Sequence, residues 1–241
     1  MVVEINYLPR RWAKALHDSK ARWMVLVLHR RAGKTTAVLN HLQRDALRVP
    51  GSVYAYIGPT YKQSKFVAWD IVKNISRPVP GVQYNEAELA VRYPNGSKLV
   101  LVGSDSPDSL RGVALWGAGF DEYSMQPSNI FSEIISKALA DHLGYAIFFG
   151  TPKGKNEFWR LYEIAKRNPD EWVVIHRTID DSLRDETGET IDNLRVALED
   201  DRKLVAEGAM SEGEFAQEWF CEFNVPVKGA VFKAEWQRLK E

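Results

Sequence analysis

A single cysteine, Cys221, stands in the chain of 241 residues, so no internal disulfide and no cysteine-rich zinc site can form, and the composition suits a reducing compartment. Long hydrophobic runs are missing as well. The uninterrupted apolar stretches are short ones such as Met24 to Leu28 and Tyr145 to Phe149, far below the roughly 20 residues that cross a bilayer as a helix. The opening segment MVVEINYLPRRW carries Glu4 and two arginines where the apolar core of a secretory leader would lie, so a cytoplasmic location is expected. Net charge is absent too, 32 basic residues balancing 32 acidic ones, and no global field announces a polyanion. What remains is ordinary for a globular protein: 45% hydrophobic and 27% charged residues, which argues against collagen, a long coiled coil or wholesale disorder. The length suffices for one large domain, or a core with a small subdomain.

The distribution of charge is more telling than its sum. Residues 1 to 34 hold eight lysines and arginines against Glu4 and Asp18, a balance of +6, whereas residues 180 to 222 hold fourteen acids against four bases, a balance of −10. Such asymmetry sets a polarity in an assembly or on a polyanion, or else marks the solvated faces of surface helices; charge alone leaves both open.

Met24 to Leu28 has the pattern of a strand buried on both faces of a parallel sheet. A loop follows, then a helix from about Lys34 to Leu47, with Val38, Leu39, Leu42 and Ala46 at helical spacing. Val53 to Ile57 predicts a second strand, and Lys62 to Ile75 a second helix that ends before Pro78. Leu89 to Tyr93 and Lys98 to Val102, joined through Asn95-Gly96, predict a β-hairpin. Ala114 to Phe120, Tyr145 to Phe149 and Trp172 to His176 predict further strands. This alternation is that of an α/β domain with a mainly parallel sheet, whose ligands gather where strands end and helices begin. Thr190 to Phe223 is acidic and helix-favouring, with Gly208 and Gly213 as expected breaks, and Pro226 and Gly229 suggest a linker. The expected organisation is a core over 1–180, a helical subdomain over 181–225 and a linker over 226–241.

Three strand ends carry chemistry. The first reads His29-Arg30-Arg31-Ala32-Gly33-Lys34-Thr35-Thr36. A phosphate-binding loop needs converging backbone amides, a helix N-terminus behind them, a lysine for the β- and γ-phosphates and a hydroxyl for Mg²⁺, and Gly33, Lys34 and Thr35 supply these parts. The strict motif has glycine where Leu28 stands; with a strand before it and a helix after it the nucleotide site is the favoured reading, and an exposed basic loop capping a helix is the alternative. The second strand end delivers Asp121 and Glu122, suited to a metal's water shell and to polarising an attacking water, or to an ordinary solvated turn. The third, Gly150-Thr151-Pro152-Lys153-Gly154-Lys155, offers Thr151 as a sensor of the γ-phosphate, or as a simple turn residue. Arg30 and Arg31 sit beside Lys34, where like charges repel unless a polyanion is bound. Arg111 lies in a turn-rich loop, where it pairs with Asp105 or Asp108 or reaches a neighbouring subunit.

Taken together, His29 to Thr35, preceded by Tyr7-Leu8-Pro9-Arg10-Arg11-Trp12 and followed in order by Pro107 to Gly112, Phe120-Asp121-Glu122-Tyr123 and Gly150 to Gly154, resemble the large terminase subunit of tailed bacteriophages. The resemblance runs from about residue 7 to the region near Val231. It implies a P-loop ATPase core of the RecA-like, ASCE type, with ATP and Mg²⁺ as cofactors, that pumps double-stranded DNA into a procapsid from the host bacterial cytoplasm. By the same resemblance, Lys34, Glu122, Arg30 in cis and Arg111 as a finger toward the next subunit are the catalytic group. Trp12, Arg31, Ala32, Gly33, Lys34, Thr35, Thr36 and Thr151 surround the nucleotide, and Thr35 and Asp121 hold the metal. The implied partners are duplex DNA, a portal protein, a small terminase subunit and further copies in a ring, the isolated chain being a monomer. Two departures stand out. Many members carry a glutamine near Trp12 that reads adenine, whereas this chain has Ala13, and the chain ends near where the family's nuclease domain begins. A helicase-like or repair ATPase is the alternative function. Lys62, Lys65, Lys153 and Lys155 are the candidate contacts to DNA.

Overall fold

The computed structural model of the protein describes residues 5–106, 110 and 112–225. In chain order its elements are α1 (Arg11–Asp18), β1 (Trp23–Leu28), α2 (Lys34–Arg48), β2 (Val53–Gly58) and α3 (Tyr61–Ser64), which runs through a π-helical stretch (Lys65–Trp69) into α4 (Asp70–Ser76). Next come β3 (Gln83–Asn85), β4 (Ala90–Arg92), β5 (Lys98–Gly103), β6 (Gly117–Phe120), a 3₁₀ turn (Tyr123–Met125) and a second π-helical stretch (Phe131–Ile135) leading into α5 (Ser136–Ala138). Then follow β7 (Tyr145–Gly150), α6 (Glu157–Arg167), β8 (Trp172–Arg177), α7 (Ile179–Asp185), α8 (Glu189–Ala206) and α9 (Glu212–Phe220).

Among the described residues eight strands form one sheet in the order β3-β4-β5-β2-β6-β7-β1-β8. Neighbours from β5 to β8 pair in parallel, and β3 and β4 add an antiparallel edge. Both faces are covered, as the unbroken apolar strands require. Along β1, Met24, Leu26 and Leu28 enter the layer shared with α1 and α2, while Val25 and Val27 enter the opposite layer, packed with Phe120, Phe148 and Phe158. A separate apolar cluster of Ile179, Leu194, Ala197, Leu198 and Trp219 joins α7, α8 and α9.

Several expected elements differ in extent. The hairpin is present but belongs to a three-stranded edge, because the exposed Gln83–Asn85 segment pairs with β4 despite lacking apolar alternation. The expected strand from Ala114 begins only at Gly117: the Leu115 amide turns away to the Ala138 carbonyl, while the Trp116 amide still reaches Val53. The second helix starts at Tyr61 and passes through a π stretch. Gly208 does follow a helix end, with φ +74°, whereas Gly213 lies inside α9, where a Cβ would stand 2.3 Å from Val225 Cγ1. Close packing, and not helix termination, accounts for that glycine.

Glycine matters most on β6. A Cβ on Gly119 would lie 2.7 Å from Val38 Cγ1 of α2, so the bare backbone at this position lets the helix seat against the sheet. That contact sets the height of the α2 N-terminus over the end of β6. Gly119→Ala should therefore overpack the layer and cost about 1–3 kcal/mol, read as a lower midpoint in urea unfolding with an unchanged slope; a parent-like midpoint would show that the helix does not seat here.

Candidate functional site

The turn from β1 into α2 is fixed from outside by its carbonyls. The Arg30 carbonyl lies 2.5 Å from His29 Nδ1, Arg10 Nη1 donates to the Arg31 carbonyl at 2.8 Å, and Trp12 Nε1 donates to the Ala32 carbonyl at 3.0 Å. With these three oxygens held on the outer side, the following amides open α2, whose first turn has no intrahelical acceptors for them. Arg31 (φ +62°) and Gly33 (φ +76°) adopt the left-handed conformation that bends the chain into the helix. A Cβ on Gly33 would also lie 3.3 Å from Arg10 Nε, so glycine admits the guanidinium. The result is a helix N-terminus with its dipole and unpaired donors presented together, which is an anion site.

Behind the loop, His29 is fully buried, its Nε2 2.7 Å from Ser182 Oγ of α7 and its ring stacked on Trp219 of α9. Burial pushes its pKa down to about 4, opposed by its bond to the Arg30 carbonyl, so the ring is neutral at neutral pH. Its peptide N–H donates to the Arg177 carbonyl of β8, and the Arg30 amide to the Glu218 carbonyl of α9.

β6 ends on Asp121, and the two expected junctions meet here. Thr35 Oγ1 donates to Asp121 Oδ2 at 2.9 Å, the Tyr56 hydroxyl of β2 donates to the same oxygen, and the Glu122 amide donates to Oδ1 at 2.9 Å. Burial pushes the Asp121 carboxyl up to about 6, and the neighbouring Glu122 charge adds to this; Tyr56, Lys34 and Thr35 pull it back. A threonine hydroxyl and a carboxylate at one point suit a hard cation such as Mg²⁺, which keeps waters and takes few protein oxygens. Among the described residues no cluster of three or more His, Cys, Asp or Glu forms a metal cage.

Glu122 takes a left-handed conformation (φ +45°), unusual for a side-chain-bearing residue. Gly150 makes room for it, since a Cβ there would lie 3.1 Å from Glu122 Cα. The Glu122 carboxylate spans two of the expected partners: Oε1 is 3.4 Å from Lys34 Nζ, and Oε2 accepts a long 3.4 Å bond from Thr151 Oγ1. Ser124 Oγ and Asn156 Nδ2 then tie this turn to the third strand end through the Thr151 and Ser124 carbonyls.

Lys34, Thr35, Asp121, Glu122 and Thr151 thus meet in one place. Trp12 backs the loop with its indole buried, and Thr36 accepts from Asn40 Nδ2 through its carbonyl. Arg30 points elsewhere: its Nη1 lies 3.0 Å from Asp201 Oδ2 of α8, an oxygen that also accepts from Trp219 Nε1. Arg111 falls outside the described residues. Sequence reasoning missed Tyr56, Arg10 and Gln126, whose Nε2 donates to the Ile57 and Asp121 carbonyls. None of the three carried a usable signal, since Tyr56 shares its strand with a second tyrosine, Tyr54.

A family model described as the terminase large subunit, T4likevirus-type, N-terminal, matches residues 26–239. The large terminase subunits of Thermus phage G20c and Thermus virus P23-45 are each 29% identical over 182 residues, covering 68% of this chain but 38% of their own length. The chain therefore spans well under half of these curated relatives. The ATPase domain of the Thermus phage P74-26 large terminase superposes with a TM-score of 0.75 at 25% identity, over 91% of this chain and 95% of that one. The large terminase of another thermophilic bacteriophage, in complex with ADP, shares the fold, with a TM-score of 0.69 at 14% identity over 89% of this chain and 53% of that one.

Replacing Tyr56 by phenylalanine keeps the ring and removes one donor to the Asp121 carboxylate. Since that bond favours the charged form, the carboxyl should then hold its proton to a higher pH than in the parent. Carbon-detected NMR titration of the carboxyl reads this directly, and an unchanged or lowered midpoint would remove Tyr56 from the role.

Proposed function

The chain belongs to the terminase large-subunit family, whose N-terminal model it matches, and from that premise we propose that it hydrolyses ATP to drive double-stranded DNA into a procapsid. The observation that carries this reading is the bond from Thr35 to Asp121, which brings the loop lysine and the acidic pair to one point. The α2 N-terminus and Lys34 receive the β- and γ-phosphates. Thr35 and Asp121 would hold Mg²⁺, which neutralises developing charge on the phosphates when bound.

Glu122 orients the attacking water and takes its proton. Its ion pair with Lys34 keeps the two neutralised; a triphosphate draws the ammonium to itself and leaves the carboxylate facing the water. Arg30 is divided in the same way between the phosphates and Asp201. Arrival and loss of the γ-phosphate then act on Arg30 and, through Glu122, on Thr151, passing the nucleotide state to α7, α8 and α9 as a subdomain that follows the core. Arg111 completes a neighbour's site as a finger. Duplex DNA, a portal protein, a small terminase subunit and further copies in a ring are the partners of this reading, in the host cytoplasm at the portal.

Two variants test it. Glu122→Gln should lower ATP turnover by at least about 100-fold while retaining nucleotide binding by calorimetry; loss of binding and turnover together would take the water-activating role from Glu122. Arg111→Ala should leave nucleotide binding and dilute-solution turnover at parent values. It should abolish the rise in specific activity with protein concentration, since finger arginines are worth about 10³–10⁵ in rate. An equal fall at every concentration would place Arg111 in its own subunit's site.

A further inference from the structure

Of the four lysines that the sequence puts forward for a polyanion, two are engaged within the protein. Lys153 Nζ lies 3.7 Å from Glu218 Oε1, and Lys155 Nζ stands 5.3 Å from the centre of the Trp159 ring. The side chains of Lys62 and Lys65 make no ion pair or hydrogen bond among the described residues. Both are exposed on the helix that follows β2, Lys62 in its first α-helical turn and Lys65 beside the exposed Phe66 at the start of the π-helical stretch.

Phe66 is 89% exposed and Val67 44%. Neither is a core residue slightly out of place. Ser64, Ala68, Trp69, Val72 and Ser76 form the buried side of this helix, and Phe66 stands on the other. The carboxylates around it are engaged. Asp70 and Glu86 pair with Lys73 at 3.0 and 3.4 Å, Trp69 Nε1 donates to Glu86, and Asp105 accepts from the Tyr61 amide. An aromatic ring flanked by two uncompensated ammoniums is therefore presented to solvent.

We infer that Lys62, Lys65 and Phe66 form a contact to duplex DNA, the two ammoniums lying on phosphates and the ring packing against sugars or a base step. The inference rests on the proposed action on double-stranded DNA and gives it a surface. Lysine Cβ atoms three residues apart on a helix are about 5–6 Å from each other, and their long arms reach neighbouring phosphates of one strand. Apolar side chains placed against or between base steps are a recurrent partner to such cationic contacts. A second copy of the chain fits less well: on the outer face of α8, around exposed Val196 and Leu204, Glu199 and Asp200 already pair with Arg202 and Lys203.

The position also connects the surface to the chemistry. Ser64 Oγ accepts from the Gly58 amide at 3.1 Å and donates to the Val102 carbonyl at 2.7 Å. A Cβ on Gly103 would collide with the Tyr61 amide, so the helix start is pressed onto the ends of β2 and β5. β2 is the strand whose Tyr56 bonds Asp121. A load on this patch is delivered to a strand that holds the catalytic end of the sheet.

The test uses the full chain, a fluorescein-labelled duplex and binding anisotropy over a range of salt. Lys62→Ala with Lys65→Ala should flatten the slope of log affinity against log salt by about 1.8, from about 0.9 per phosphate contact. Phe66→Ala should weaken binding by about 10-fold at the parent's slope, from the apolar area the ring buries. DNA-independent ATP turnover should stay at the parent value in both. Duplex binding by the parent that neither variant alters would overturn this surface and leave the DNA reading standing. Failure of the parent to bind duplex would overturn both. A Phe66→Ala effect on self-association in sedimentation, with DNA affinity unchanged, would assign the patch to a protein interface and overturn the inference.

Discussion

The bond between Thr35 and Asp121 depends on how closely α2 lies against β6, and that approach depends on the absence of a side chain at Gly119. A helix raised by the thickness of a methyl group would carry Thr35 and Lys34 away from the carboxylates they face. Packing in the apolar layer thus fixes polar geometry at its rim. The same device recurs at Gly150, whose bare Cα admits the strained backbone of Glu122, and at Gly33, which admits Arg10. The site is assembled by three close approaches of backbone, each at a strand end or helix start, where a parallel sheet places its ligands.

The loop from β1 into α2 gains its character from what lies behind it. Three carbonyl oxygens are bound from the outer side by His29, Arg10 and Trp12, which belong to the loop itself and to the N-terminal segment. Turning those dipoles outward leaves the amides at the opening of α2 to meet an anion. His29 does this while neutral, since its burial against Trp219 and Ser182 disfavours the imidazolium. A charged ring beside Lys34 would instead add to the local repulsion.

Part of the charge segregated along the chain meets within the molecule. Arg11 pairs with Asp185, Arg30 with Asp201 and Lys153 with Glu218, so the basic first segment, the third strand end and the acidic last helices are held together around the loop. Exposed pairs of this kind contribute little stability, typically about 0–1 kcal/mol each.

Local pattern was enough for much of this. The both-face burial of β1, the strands β2 and β7, the helical spacing of α2, and the loop with Gly33, Lys34 and Thr35 were legible because each follows from the order of side chains along a few turns or pleats. Asp121 and Glu122 could be placed at a strand end for the same reason. β3 was not legible, because Gln83–Asn85 pairs through its backbone and shows no apolar alternation. Gly213 reads as a helix break in sequence alone, because its need for glycine comes from Val225, outside its own helix. Tyr56 beneath Asp121, Arg10 beneath Gly33 and Asp201 opposite Arg30 were decided only in the tertiary structure: each joins residues far apart in the chain through one contact, and periodicity within a segment holds no record of which distant atom will complete a hydrogen bond.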